Sequence, residues 1–228
     1  MNMGSFITLK SSDGFEFLAF EEKPIGPAKA GLVLLQEIFG VNTHIQEVAK
    51  LYADQGYHVL APETMSRSKS GVNLGYTPED GAAGSALKSA IEALPGRPVM
   101  LDIQTCINTL AISGKVGIFG FCWGGLLTWR SAAMLDGLSA AVSYYGGGMP
   151  NESQLTPKCP VLAHFADDDS HIPLDSVNQF SSVHPEVQLH IYAGHHGFNC
   201  NHRASYNEAA ATLARSRTFA FFAEHLGL

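Results

Sequence analysis

Apolar positions along the chain fall into short blocks, separated by polar and glycine-bearing turns, and the blocks alternate between two periods. Residues 6–10 and 15–22 flank Ser-Ser-Asp-Gly, a turn signal between two strand-like runs, which predicts an N-terminal antiparallel hairpin. After a bend over 24–27, residues 31–35 read Gly-Leu-Val-Leu-Leu, a continuous apolar run too short for a helix and typical of a strand covered on both faces. Thr43-x-x-Gln46 reads as a capping box. Ile45, Val48, Ala49 and Tyr52 follow at helical spacing, Gly56 can end the helix, and a strand over 57–61 comes next. The same alternation predicts a helix over 99–111, a strand over 115–119, a helix over 123–135, strands over 140–144, 161–165 and 187–192, and a final helix over 203–225. This is an α/β pattern: a mostly parallel central sheet with helices on both faces, whose functional edge lies at the strand carboxyl ends. Residues 64–98, rich in Ser, Gly and Pro with a short helical run around 82–94, are expected to fold over that edge as a cap. With no repeat, linker or low-complexity tract, 1–228 reads as a single domain.

Composition narrows the field of functions. At 46% hydrophobic and 15% charged residues the chain can bury a core and is neither disordered nor a coiled coil. A net charge of −7 denies it the positive field that attracts phosphates, so nucleic acid is not an expected partner. Residues 1–14 lack a basic start followed by an apolar run, and Gly4 comes too late for N-myristoylation, so no export or lipid signal is expected. The least polar stretch, 116–129, is 14 residues long with four glycines, short of a membrane span. Cysteines 106, 122, 159 and 200 form no C-x-x-C pair, which fits reduced thiols in a cytoplasm.

The chemistry gathers at predicted strand ends. Gly120-Phe-Cys-Trp-Gly124, followed by Gly125, leaves a buried strand and enters a helix, the setting of a nucleophile elbow with Cys122 as nucleophile. Glycines on either side permit the sharp turn, and a helix N-terminus behind the sulfur favours thiolate. The same glycines could merely pack strand against helix; they do not give the G-x-G-x-x-G of a dinucleotide loop. Asp169 and His196 follow in the order nucleophile, acid, base, which is that of the α/β-hydrolases. Each comes just after a predicted strand. Asp167, Asp168 and Asp169 could form a solvated acidic turn, and His195 is the fallback for His196. His195, His196, His202 and His171 raise a metal reading, yet their spacing matches no standard zinc site, so neither metal nor cofactor is expected. Gln36-Glu-Ile-Phe-Gly40 follows the first central strand, where the backbone N–H of Ile38 would join that of Trp123 as an oxyanion hole. Glu37, a carboxylate beside Ile-Phe, is either engaged there or pointing outward.

Together these segments resemble the dienelactone hydrolase family of cysteine α/β-hydrolases. The likeness is carried by Leu35-Gln-Glu-Ile-Phe-Gly-Val-Asn42, Leu60-Ala-Pro62, Gly117 to Gly125, Tyr144-Tyr-Gly146, His164-Phe165 with Asp169 to Pro173, and His196-Gly-Phe198, across nearly the whole chain. It implies an α/β-hydrolase fold, a Cys122–Asp169–His196 triad, and Glu37 contacting the resting thiol and moving away when substrate binds. It also implies hydrolysis of small lactones or enol esters through an acyl-cysteine, a carboxymethylenebutenolidase-type activity of aromatic degradation. A thiol suits an activated ester, because the tetrahedral intermediate expels thiolate unless the competing group leaves easily. The best-known dienelactone-cleaving members hold the substrate carboxylate with two arginines, one in the cap region and one four residues after the catalytic His; that last position here is Cys200. Arg203 and Arg67, with Tyr144, are the candidates for substrate binding, and Arg97 is a further nearby base. The expected partner is a small ester or lactone, met by a monomer. Two other readings compete: a non-catalytic binding module that keeps the pocket, and a metal-dependent hydrolase.

Overall fold

The computed structural model describes residues 4–228; the reading of residues 1–3 as free of a signal lies outside them. The chain forms two compact units, one ending at Gly117 and one running from Ile118 to Leu228.

In the first unit, β1 (Ser5–Lys10) and β2 (Glu16–Glu22) form the expected antiparallel hairpin, with Ser5 opposite Glu21 and Lys10 opposite Glu16. β2 pairs antiparallel with β4 (Tyr57–Pro62), which pairs parallel with β3 (Ala30–Leu35), giving the order β1-β2-β4-β3. Every residue of β3 is buried, as its unbroken apolar run requires. At Gly31 an added Cβ would lie 2.6 Å from Leu110 Cβ, so α3 (Val99–Leu110) packs directly on the strand. Helix α1 (Thr43–Asp54) connects β3 to β4 and buries Ile45, Val48, Ala49 and Tyr52, the residues its periodicity singles out. Its cap is Asn42, whose side chain accepts from the Ile45 N–H, not the Thr43 of the capping-box reading. Helix α2 (Pro78–Glu92) starts earlier than expected, at a capping box made by Thr77 and Asp80.

Strand β5 (Val116–Phe121) carries the chain into the second unit, where the order is β5-β6-β7-β8. β6 (Leu138–Tyr144), β7 (Val161–Ala166) and β8 (Gln188–Tyr192) pair in parallel, so their carboxyl ends lie side by side. Helix α4 (Trp123–Met134) follows β5, α5 (Leu174–Val183) separates β7 from β8, and α6 (Glu208–Leu226) ends the chain. α6 begins five residues later than expected: Asn207 caps it by accepting from the Ala210 N–H, and the chain before it makes successive turns. Helix α5 was absent from the sequence pattern. Only Val177 and Phe180 of it are buried, and no side chain caps it.

A buried polar network joins α6 to the sheet. The Tyr144 hydroxyl lies 2.6 Å from Thr218 Oγ1, which is 3.0 Å from His164 Nε2; His164 Nδ1 is 2.8 Å from the Tyr192 hydroxyl, which accepts from Arg217. Burial, then the charges of His190 and Arg217, push the His164 pKa well below its ordinary value, so it stays neutral with both ring nitrogens engaged. Among the described residues no helix is long and apolar enough to cross a membrane.

Candidate active site

The turn from β5 into α4 is tight because glycine allows it. A Cβ at Gly120 would come within 2.3 Å of the Gly124 carbonyl oxygen, and one at Gly125 within 2.8 Å of Gly146 Cα. Between them Cys122 sits at φ 55°, ψ −116°, a left-handed backbone that costs a non-glycine residue on the order of 1–3 kcal/mol. Main-chain bonds hold it there. Its N–H donates to the Tyr144 carbonyl at 3.0 Å, and its own carbonyl accepts from the N–H groups of Gly125 and Leu126 at 3.0 and 3.2 Å. The half-buried side chain therefore stands at the amino end of α4, next to the first helical residue, Trp123.

Asp169 and His196 reach the site from the ends of β7 and β8. His196 Nδ1 lies 2.7 Å from Asp169 Oδ2, and Asp169 Oδ1 accepts from the His171 N–H at 2.8 Å. Both side chains are buried. His196 also hydrogen-bonds Cys122; with Nδ1 committed to Asp169, that bond falls to Nε2. Burial alone would lower the His196 pKa. The charge on Cys122, the bond to Asp169 and the bond to Cys122 outweigh it and push the pKa up to about 10. For Asp169, burial favours the neutral acid, but the hydrogen bond and charge of His196 hold it below the usual carboxylate value. The resting arrangement at neutral pH is thus a carboxylate and a sulfur on either side of an imidazolium.

The neighbouring candidates have other duties. The His195 side chain is 64% exposed, with Nδ1 3.0 Å from the Asp168 carbonyl, so of the two histidines only His196 is joined to Asp169. Asp167 and Asp168 fasten the acid loop to the base loop: their N–H groups donate to the carbonyls of Tyr192 and Gly194 at 2.9 and 3.1 Å, and Asp167 Oδ1 accepts from the Gly194 N–H at 3.0 Å.

Tyr144, expected at the substrate, turns its side chain into the core toward Thr218, and its carbonyl alone serves the elbow. Tyr145 is the tyrosine that meets the triad. Its backbone has φ 37°, it is fully buried, and its ring centroid lies 5.1 Å from that of His196. A strand alternates its side chains from face to face, and this left-handed residue breaks the alternation just after β6. The only signal for it in the sequence is a tyrosine at a strand end before Gly146-Gly-Gly148. The His171 ring also contacts that of His196, at 4.9 Å, from a residue that sequence reading connected only with metal binding.

Of the arginines, Arg203 lies beside the base loop: a Cβ on Gly197 would fall 2.4 Å from its Nη1. Gly197 has φ 83°, so glycine serves both the turn and the close approach of the guanidinium. Arg67 belongs to the first unit, where it is an internal clamp. It donates from Nε and Nη2 to Asp102 at 2.8 Å each and from Nη1 to Asp13 at 2.7 Å, and its guanidinium lies over the Phe15 ring. With its guanidinium so engaged and the side chain 8% exposed, Arg67 ties the segment after β4 to α3 and the β1–β2 turn. Arg97, also in that unit, has a left-handed backbone at φ 51°. Glu37 and Ile38 lie in the turn after β3. Glu37 is buried, not pointing outward, and a Cβ on Gly84 of α2 would fall 2.3 Å from the Ile38 carbonyl oxygen, so α2 rests on this turn.

The sequence matches the Dienelactone hydrolase family over residues 17–226. It is 31% identical to the carboxymethylenebutenolidase of Pseudomonas putida over 228 residues, covering 95% of each chain. Among solved structures it is similar to a candidate dienelactone hydrolase from Klebsiella pneumoniae subsp. pneumoniae, with TM-score 0.81, 27% identity, and 96% and 99% of the two chains covered. It also shares its fold with P91, a dienelactone hydrolase-like promiscuous phosphotriesterase from metagenomic libraries, at TM-score 0.74 and 19% identity over 98% and 99% of the chains.

Proposed function

Since the chain belongs to the dienelactone hydrolase family and is a hydrolase of that type, we propose that Cys122 is its nucleophile and that it opens small lactones or cleaves enol esters through an acyl-cysteine. One observation carries the reading: His196, joined to Asp169 at 2.7 Å, also bonds the sulfur at the elbow.

In this scheme the Cys122 thiolate attacks the ester carbonyl carbon and the C=O electron pair moves to oxygen. The N–H groups at the start of α4, Trp123 first, meet that oxyanion. As the intermediate collapses, the bond to the leaving oxygen breaks and that oxygen takes the proton from His196 Nε2. In a lactone the released enol stays attached to the acyl chain. Thiolate is itself a good leaving group, so the forward path needs a competitor that departs readily, and an enolate meets that need.

Acylation then changes the base. Two of the influences that raise the His196 pKa come from Cys122, and an acylated sulfur no longer carries its charge. The imidazole, neutral after giving up its proton, is then less readily reprotonated than in the resting site and can take a proton from water. Hydroxide adds to the acyl carbon, the C–S bond breaks, and the acid departs with thiolate and imidazolium restored. Arg203, held against Gly197, is the proposed anchor for a substrate carboxylate.

The test is to mix the protein with a panel of enol esters and lactones, quench within one turnover and weigh the intact protein. The expected result is a mass gain equal to the acyl group, mapped to Cys122 and missing in Cys122→Ala. Turnover at the wild-type rate in Cys122→Ala overturns the reading.

A further inference from the structure

Tyr145 combines three properties that packing alone does not require. It is a bulky residue in the left-handed region at φ 37°, immediately before three glycines that would adopt that backbone at lower cost. It is fully buried. Its ring makes edge contacts with two rings of the base loop, His196 at 5.1 Å and Phe198 at 5.2 Å.

The peptide group joining Tyr144 to Tyr145 adds a fourth connection. Its carbonyl accepts the N–H of Cys122 at 3.0 Å, and its N–H donates to the His164 carbonyl of β7 at 2.7 Å. One peptide plane thus braces the nucleophile elbow against the strand that leads to Asp169, and the backbone turn that follows delivers the aromatic ring to the base. The bonds at Nδ1 to Asp169 and at Nε2 to Cys122 lie near the ring plane and leave the imidazole able to rock about the axis that joins them. A ring inclined at 63° against it restricts that motion and keeps water from that flank.

We propose that Tyr145 is a positioning residue for the hydrolytic reaction: its ring fixes the plane of the His196 imidazole so that Nε2 stays aimed at the sulfur and, after acylation, at the incoming water. The inference rests on the cysteine-hydrolase reading above. It assigns the effect to the aromatic ring, with no part for the hydroxyl.

Steady-state kinetics on an activated aryl ester, with melting curves beside them, test it in Tyr145→Phe, Tyr145→Leu, Tyr145→Gly and Tyr145→Ala. Tyr145→Phe is expected to keep kcat within about threefold. Tyr145→Leu, which faces the same backbone constraint as tyrosine, is expected to lose about 10- to 100-fold in kcat with KM within about threefold, the scale set by slight misplacement of reacting groups. Glycine suits φ 37° better than alanine, so Tyr145→Gly should melt above Tyr145→Ala yet be no more active. A purely structural role would instead make activity follow melting temperature. Full kcat in folded Tyr145→Leu overturns the inference, as does a loss in Tyr145→Phe as large as in Tyr145→Leu. If Tyr145→Leu fails to fold, Tyr145→Phe still decides whether the ring suffices. Cys122→Ala in parallel separates the two claims: an active Cys122→Ala sinks the nucleophile, whereas an inactive one beside fully active Tyr145→Leu sinks only the positioning role.

Discussion

Removing the Cys122 sulfur should lower the pKa of the His196 imidazole beside it. In the intact site His196 titrates at about 10 against an ordinary 6.5, a gap equivalent to roughly 5 kcal/mol in favour of the protonated ring. Burial opposes that gap, and the Cys122 charge, with the ring's hydrogen bonds to Asp169 and Cys122, creates it. Cys122→Ala deletes both sulfur contributions and leaves burial and Asp169, so the midpoint should fall. The sign for stability follows from linkage. A histidine whose folded pKa is raised stabilises the fold fully below about 6.5 and loses that contribution as pH climbs through about 10. Wild type should therefore lose more resistance to urea between pH 6.5 and 10 than Cys122→Ala does. Heteronuclear NMR of the His196 ring protons reads the midpoint directly, and urea melts across that window read the linkage. A wild-type midpoint near 6.5, or the same midpoint in both proteins, would refute the charge assignment and with it the switch from acid to base on acylation.

Asp169→Asn keeps the shape of the acid and removes its charge; kcat should fall about 10²- to 10⁴-fold with the melting temperature nearly kept, judged by ester hydrolysis beside thermal unfolding. His195→Gln should leave kcat/KM within about twofold while His196→Gln abolishes it, and equal losses would point to the wrong histidine. Replacing Arg203 with Met should raise KM about tenfold or more for esters bearing a carboxylate and leave neutral esters unchanged, which a matched pair of substrates tests. Arg67→Ala leaves the buried Asp102 carboxylate without its bidentate partner, at a cost of about 3–5 kcal/mol in urea unfolding, while kcat below the melting range should hold.

The parts of this architecture that the sequence made legible are those whose cause is local. The run 31–35 is a fully buried strand because five consecutive apolar residues cannot face water. Cys122, Asp169 and His196 could be picked out because each follows directly on a strand whose pattern is plain. Helix α5 escaped because its inward face amounts to Val177 and Phe180, too few to establish a period. The sequence pattern places the start of α6 too early because helix formers continue upstream of Asn207, where the chain instead makes turns before the helix begins. Arg67 could not be assigned from its neighbours in sequence: its partners Asp102 and Asp13 stand 35 and 54 residues away. Tyr144 and Tyr145 are chemically identical neighbours, and a single backbone angle decides which of them meets the base.

The cross-links between the turn after β7 and the turn after β8 are largely main-chain, from the N–H groups of Asp167 and Asp168 to the carbonyls of Tyr192 and Gly194. Amide-to-carbonyl links of that kind are indifferent to which side chains decorate them. The separation of carboxylate and imidazole is thereby inherited with the pairing of two strands, and a protein engineer could rewrite the exposed chemistry around residues 168 and 195 without resetting that gap.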